Sequence, residues 1–135
     1  MRAPRRKPTD AELGILNVLW SRGPSTVRQI AQDMGREAGY TTILKLLQIM
    51  TEKSLVVRDE GSRTHVYTAA YTQDQTQRQL VADLLERAFD GSASKLVLQA
   101  LASGKSSAED LAEIKKLLRA AGASQANDDK AGGSR

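Results

Sequence analysis

Residues 39–53, GYTTILKLLQIMTEK, decide the fold that we predict for this chain. At about 100° per residue, their apolar side chains recur at the i, i+3, i+4 and i+7 spacing of a helix with one buried face. That face consists of Ile43, Leu46, Leu47 and Met50. We therefore expect a helix that packs this stripe in the core and has Gly39 as its N-cap.

The opposite face of this helix is polar. It carries Thr41, Lys45, Gln48 and Glu52, with Thr42 and Ile49 at one edge and Leu44 at the other. In a DNA major groove, Thr and Gln side chains can hydrogen-bond to base edges, and a lysine can reach a phosphate or a guanine. A solvent-exposed amphipathic helix has a similar outer face, so the surrounding sequence must distinguish the two interpretations.

Two capping motifs upstream mark the starts of two more helices. Thr9 is followed three residues later by Glu12, and Thr26 is followed by Gln29, which is the capping-box pattern. The first helix is expected to end near Gly23, and the second is short. Three successive helices are typical of the helix-turn-helix class.

Downstream of residues 39–53 the apolar period changes from 3.6 to 2. Residues 55–58 and 64–68 are β-prone runs, and residues 59–63 between them contain the turn residues of a hairpin. The pattern predicts a mainly α fold with a small β-hairpin, a winged helix-turn-helix domain over residues 9–71. Arg63 lies near the tip of this wing, where it either reaches a backbone phosphate or is an exposed turn residue.

Three amphipathic helices are predicted over residues 72–121. Short helices without a sheet bury their apolar stripes poorly alone, so we expect a homodimer, with a monomeric three-helix bundle as the alternative. Residues 1–8 are expected to form a basic flexible arm and residues 122–135 a disordered tail. The predicted dimerisation residues are Leu80, Leu84, Leu85, Phe89, Leu96, Leu101, Leu111, Ile114 and Leu118.

The composition argues against an enzyme and a metal site. The 135 residues include no cysteine and one histidine, His65, so thiolate sites are excluded and a catalytic triad would depend on that single imidazole. We expect no cofactor. No apolar run approaches the roughly 18 residues that cross a bilayer, and we expect a soluble, cytoplasmic protein without membrane insertion.

Positive charge is concentrated in the first half of the chain. Residues 1–71 contain 11 Lys/Arg and 7 Asp/Glu, which accounts for the net charge of +4, whereas residues 72–135 contain nine of each. Clustered cations favour contact with phosphates, because neutralised phosphates release counterions. The predicted DNA-binding residues are Thr26, Arg28, Tyr40, Thr41, Thr42, Lys45, Gln48 and Arg63.

Five short blocks carry a family resemblance: PTDAEL at 8–13, ILxVLW at 15–20, GPSTV at 23–27, GYTTIL at 39–44 and KSLV at 53–56. Over roughly residues 8–120 the chain resembles the BlaI/MecI penicillinase-repressor family. The resemblance implies a bacterial winged-helix repressor that dimerises through its C-terminal helices and binds double-stranded DNA at a palindromic operator. It also implies that the helix at residues 40–53 enters the major groove, with Thr41, Thr42, Lys45 and Gln48 on its reading surface.

Three departures from the family pattern modify these implications. Ile49 stands where many relatives have arginine, so a contact available to them is missing here. In the β-lactam-responsive relatives, a protease or membrane-sensor system relieves repression by cleavage between Asn and Phe, and the matching bond here is Gln99–Ala100. The copper-responsive branch uses a C-terminal cysteine cluster, which this chain lacks.

Two functions follow from these patterns. The leading hypothesis is a homodimeric transcriptional repressor. The alternative is a winged-helix protein-protein interaction module without sequence-specific DNA binding, in which Leu44 and Ile49 are anchors in a partner groove.

Overall fold

The computed structural model describes residues 7–35 and 39–133, which form six helices and one two-stranded sheet. The elements in chain order are α1 (Asp10–Arg22), α2 (Val27–Met34), α3 (Tyr40–Glu52), β1 (Val56–Asp59), β2 (Val66–Ala69), α4 (Gln73–Ala88), α5 (Ala93–Ala102) and α6 (Ala108–Gly133).

The chain divides into two compact units, Met1–Leu84 and Leu85–Arg135, and the division falls inside α4. The sequence predicted this boundary between residues 71 and 72. The first part of α4 belongs to the first unit, where Thr76 is buried and Asp83 is ion-paired with Lys7. The predicted domain boundary is therefore displaced into the helix.

The core of the first unit lies where α1, α2 and α3 meet the hairpin. The apolar stripe predicted for α3 is buried, apart from Leu46, which is partly buried at the edge of the core. The buried apolar side chains are Ile15, Leu16, Leu19, Val27, Ile30, Ile43, Leu47, Met50, Leu55, Val56 and Tyr67.

The helix starts follow the capping motifs of the sequence. The Thr9 hydroxyl accepts a hydrogen bond from the Glu12 amide at 3.2 Å, and the Glu12 carboxylate accepts one from the Thr9 amide at 2.8 Å. Thr26 and Gln29 form the same reciprocal pair before α2. Gly39 is the N-cap of α3, as predicted. These starts are specified locally, by residues no more than three positions apart.

The hairpin begins later in the sequence than predicted. β1 and β2 pair antiparallel, with Val56 opposite Ala69 and Asp59 opposite Val66. Residues 60–65 form a loop that closes on itself: the Gly61 amide donates to the Asp59 carboxylate at 2.8 Å. The predicted second strand started at residue 64, so its first two residues belong to this loop.

A third segment joins the hairpin. Ser25 donates a backbone hydrogen bond to the Tyr67 carbonyl at 3.0 Å and accepts one from the Tyr67 amide at 2.8 Å. Its hydroxyl donates to the carbonyl of Gly23, the C-cap of α1, whose φ of 93° favours glycine. Three helices, a bridging segment and a hairpin form a winged helix-turn-helix, which confirms the predicted fold class.

In the second unit, α5 and α6 occur where two C-terminal helices were predicted. α6 differs from the prediction at its end, because it continues to Gly133 where the sequence suggested a disordered tail from residue 122. The segment lacks periodic apolar residues, and its three glycines offset the helix propensity of its three alanines, so neither pattern nor composition predicts this extension. Residues 134–135 lie outside the described residues.

Part of the predicted basic arm can be located. Lys7 donates to the Asp83 carboxylate on α4 at 2.6 Å, so the last cation of the arm is ion-paired. Residues 1–6 of the arm lie outside the described residues, as do residues 36–38 between α2 and α3.

Candidate nucleic-acid interface

α3 presents a polar face to solvent on the side opposite its buried stripe. Thr41, Thr42, Lys45 and Gln48 are all exposed, and we call these four residues the recognition face. Across the helix, the apolar side chains of α3 are packed against α1, α2 and the hairpin. The core therefore holds the helix in place while the recognition face remains free to contact another molecule.

The edges of the recognition face differ from each other. Tyr40, in the first turn, is half exposed, and Ile49 is 37% exposed. Leu44 on the other edge is partly buried and packs against the core. The two apolar anchors of the interaction-module hypothesis are therefore not equivalent, because only Ile49 is exposed.

The cations of the first unit fall into two groups. Five form ion pairs within the chain: Lys7 with Asp83, Arg22 with Asp33, Lys53 with Glu12, Arg58 with Glu60, and Arg78 with Asp74. Three exposed cations have no ion-pair or hydrogen-bond partner among the described residues, and these are Arg28, Lys45 and Arg63. The cations that the sequence predicted for DNA binding are thus the ones left available to an external anion.

Thr26 and Arg28 lie at the start of α2. The Thr26 hydroxyl is the N-cap group, accepting from the Gln29 amide at 3.2 Å, and the residue is partly buried. Arg28 in the first turn is exposed. Thr26 therefore has a structural role in starting the helix, and Arg28 is the more accessible of the two predicted contacts.

The wing carries Arg63 on its exposed loop. Arg58 on β1 is already paired within the chain, because it forms an ion pair with Glu60. Hydrogen bonding to the Tyr67 side chain and the charge of Glu60 raise the pKa of Arg58 above its usual value. The backbone bonds between Ser25 and Tyr67 fasten the wing to the segment before α2. The structure thereby joins the elements that carry Arg28 and Arg63, a link that sequence reasoning missed.

Sequence reasoning also missed an ion pair at the C-terminal end of α3. Glu12 is 1% exposed, and both of its carboxylate oxygens accept from Lys53 Nζ, at 3.0 and 3.1 Å. Burial opposes the charged form of Glu12, but the Thr9 amide and the Lys53 ammonium outweigh it and lower the pKa of Glu12. The two residues are 41 positions apart, so no local pattern could have paired them.

The predicted dimerisation residues remain accessible in the single chain. Leu84, Leu111 and Leu118 are exposed, and α5 contains no buried residue. The six partly buried members of the set are Leu80, Leu85, Phe89, Leu96, Leu101 and Ile114.

Over the part of the chain that the structure describes, no group of three or more histidine, cysteine or acidic residues is placed to hold a metal ion. Within the same residues, no helix has both the length and the apolar character needed to span a bilayer.

Comparison with known proteins identifies the family. The penicillinase-repressor family model matches residues 8–120. The transcriptional regulator BlaI of Mycobacterium tuberculosis is 33% identical over 92 residues, which cover 66% of this chain and 67% of that protein. The penicillinase repressor of Bacillus licheniformis is 21% identical over 112 residues, covering 82% of this chain and 88% of the relative.

Among solved structures, the transcriptional regulator Tm0710 from Thermotoga maritima matches with a TM-score of 0.46 and 15% identity, over 90% of this chain and 80% of that one. This likeness is too weak to carry an argument. The family match and the two sequence relatives are sufficient: the chain belongs to the penicillinase-repressor family and is a bacterial transcriptional repressor rather than an enzyme.

Proposed function

We propose that the protein is a homodimeric repressor that binds a palindromic operator with the recognition face of α3 in the major groove. The observation that carries this proposal is the division of α3 into a buried apolar stripe and an exposed polar face. Short hydroxyls and an amide on a rigidly packed helix can form specific hydrogen bonds to base edges.

Affinity would come mainly from phosphates. Arg28, Lys45 and Arg63 are exposed and have no intramolecular partner among the described residues. They lie on three elements, α2, α3 and the wing loop, so together they can follow the DNA backbone on both sides of a groove. Each phosphate contact adds sequence-independent, salt-sensitive affinity.

The dimer would be built from the helical region. Leu111, Ile114 and Leu118 on α6 repeat at the i, i+3, i+7 spacing of a helix-pairing seam, and two of the three are exposed in the single chain. A second copy of the chain would cover this seam. Two-fold symmetry would then give two recognition helices and require two inverted half-sites.

A bacterial repressor acts on chromosomal DNA, so we assign the protein to the cytoplasm. Relief of repression by a protease or a membrane-sensor system is a further part of the proposal. Gln99 and Ala100, the bond suggested by the family resemblance, are both exposed on α5.

Footprinting on the DNA upstream of the gene and of its neighbours tests the proposal. We expect protection of an inverted repeat and a gel-shift complex that a randomised duplex of equal length does not displace. Binding should weaken steeply as salt rises. Failure to form any sequence-specific complex would refute the repressor mechanism and favour an interaction module centred on Ile49.

A further inference from the structure

The ion pair between Glu12 and Lys53 joins the first turn of α1 to the C-terminal end of α3. Lys53 is the C-cap residue of α3, and its side chain is 19% exposed. The same Glu12 carboxylate accepts from the Thr9 amide at 2.8 Å, so it is itself fixed by the capping box of α1. One end of the recognition helix is therefore attached to a fixed point on another helix.

Stability alone is a poor explanation for this pair. Removing two charges from water is costly, and replacing a buried ion pair with apolar groups is often neutral or stabilising. A second ion pair in the same unit, Arg22 with Asp33, joins α1 to α2 but is exposed to solvent, which screens such pairs. The two pairs thus provide a buried case and an exposed case for comparison.

The buried pair adds a polar restraint to the apolar packing. Apolar contacts made by Ile43, Leu47 and Met50 hold α3 in place, but each is non-directional, so they define the rotation of the helix less sharply than a fixed polar contact does. Lys53 Nζ contacts both oxygens of the 1%-exposed Glu12 carboxylate, and leaving that carboxylate unpaired would be costly. A rotation of α3 larger than the lysine side chain can follow would break the pair, so the pair limits how far the helix can turn.

A rotation at Lys53 would reach the recognition face. Lys45 lies on the same helix, about 12 Å further along the axis at 1.5 Å per residue. Because a helix turns as a rigid rod over this length, any change in its rotation moves Lys45 and Gln48 sideways relative to the base edges.

Building on the proposed function, we propose that Glu12 and Lys53 are positioning residues for operator recognition. Their ion pair sets the rotation of α3 and thereby the discrimination between operator and other DNA, although neither residue contacts a base.

The test compares two substitutions that each remove one negative charge. Glu12→Gln keeps the capping box, because glutamine also accepts from the N-cap amide, but it removes the charge partner of Lys53. Asp33→Asn breaks the exposed pair in the same way. For each variant, the dissociation constants for the operator and for a randomised duplex are measured, and their ratio is the readout.

We expect Glu12→Gln to lower this specificity ratio about tenfold, the scale of one misplaced base contact, while affinity for the randomised duplex is retained. Asp33→Asn should keep the ratio within about twofold of the wild type, because exposed pairs contribute little. The double variant, Glu12→Gln with Lys53→Met, should lower the specificity ratio no further than Glu12→Gln alone, because the two substitutions remove the same interaction.

Stability is separated from positioning by recording urea unfolding curves and by measuring binding only where each variant is folded. The double variant leaves no unpaired buried charge and keeps the test valid if Glu12→Gln unfolds. Amide NMR shifts of the recognition face should move in Glu12→Gln and stay in place in Asp33→Asn. If both Glu12→Gln and the double variant kept the specificity ratio of the wild type, the positioning role would be overturned. If the wild-type protein itself did not distinguish operator from randomised duplex, the proposed function would be refuted instead.

Discussion

Ser25 and Tyr67 exchange two backbone hydrogen bonds, with N···O distances of 3.0 and 2.8 Å, and both residues are buried. Through them, the second strand of the wing is fastened to the residue before the N-cap of α2. The wing is therefore part of the first unit's core rather than a loose appendage, and its exposed Arg63 is presented from a rigid base.

Shortening Tyr67 tests how strongly the wing contributes to the core. Tyr67→Ala should lower the free energy of unfolding by about 3–5 kcal/mol, because it removes a fully buried aromatic side chain. Tyr67→Phe should cost only about 1 kcal/mol, since it keeps the buried ring and removes only the hydroxyl. Urea-induced unfolding followed by circular dichroism measures both.

Val57→Ala on β1 is the control, because Val57 is 58% exposed and its truncation should change stability by less than about 0.5 kcal/mol. If Tyr67→Ala were no more destabilised than this control, the wing would not fold cooperatively with the helices.

The parts of the fold that the sequence predicted correctly are those with local signals. Thr9 with Glu12 and Thr26 with Gln29 identify helix starts, because the interacting groups are three residues apart. Helical periodicity placed Thr41, Lys45 and Gln48 on the polar face of α3 and Thr42 at its edge, the family resemblance grouped these four, and the structure exposes all of them.

The features that the sequence missed have two different causes. Glu12 was assigned correctly to a capping box, but its pairing with Lys53, 41 positions away, depends on how α1 and α3 cross. The later start of β2 at Val66 involves a local contact instead, because the Gly61 amide donates to the Asp59 carboxylate only two residues away. Aspartate commonly forms such turns, so this loop had a sequence signal that β-propensity alone did not take into account.

Acid should destabilise the protein partly through Glu12. Its pKa is lower in the folded chain than the ordinary value of 4.5, so the charged carboxylate stabilises the fold. That contribution is complete above pH 4.5 and is lost as the pH falls through the lowered pKa. Glu12→Gln should therefore lose less stability than the wild type over the same acidic range.

Urea midpoints recorded from neutral pH into the acidic range measure this difference. The two curves should converge at low pH, where the wild-type carboxylate is also uncharged. Parallel curves across the whole range would show that Glu12 titrates with the same pKa in the folded and unfolded chains.

Lys45 and Gln48 lie on one face but should contribute differently to DNA binding. Lys45→Ala should weaken binding to operator and randomised duplex together and reduce the salt slope by about one, because it removes the proposed phosphate contact. Gln48→Ala should weaken operator binding by about 1–3 kcal/mol and leave the randomised duplex almost unchanged. Fluorescence anisotropy over a range of salt concentrations separates the two effects.

Lys105→Ala, which removes an exposed lysine between α5 and α6, is the matched control and should change neither affinity. Equal losses from Lys45→Ala and Gln48→Ala on both duplexes would contradict this division between phosphate and base contacts.

The proposed dimerisation through α6 can be tested without harming the single chain. Leu118 is 58% exposed, so Leu118→Glu should leave the fold of the subunit intact while placing a charge in the proposed seam. By sedimentation velocity we expect a dimer for the wild type and a monomer for Leu118→Glu. Operator binding should also weaken, because two half-site contacts no longer reinforce each other.

Ala120→Glu is the matched control: it adds the same charge two residues away, about 200° around the helix at 100° per residue, on the face opposite the seam. This variant should remain dimeric and bind as the wild type does. If Leu118→Glu also stayed dimeric with full operator affinity, the seam on α6 would not be the interface, and the apolar residues exposed on α4 and α5 would have to form it instead.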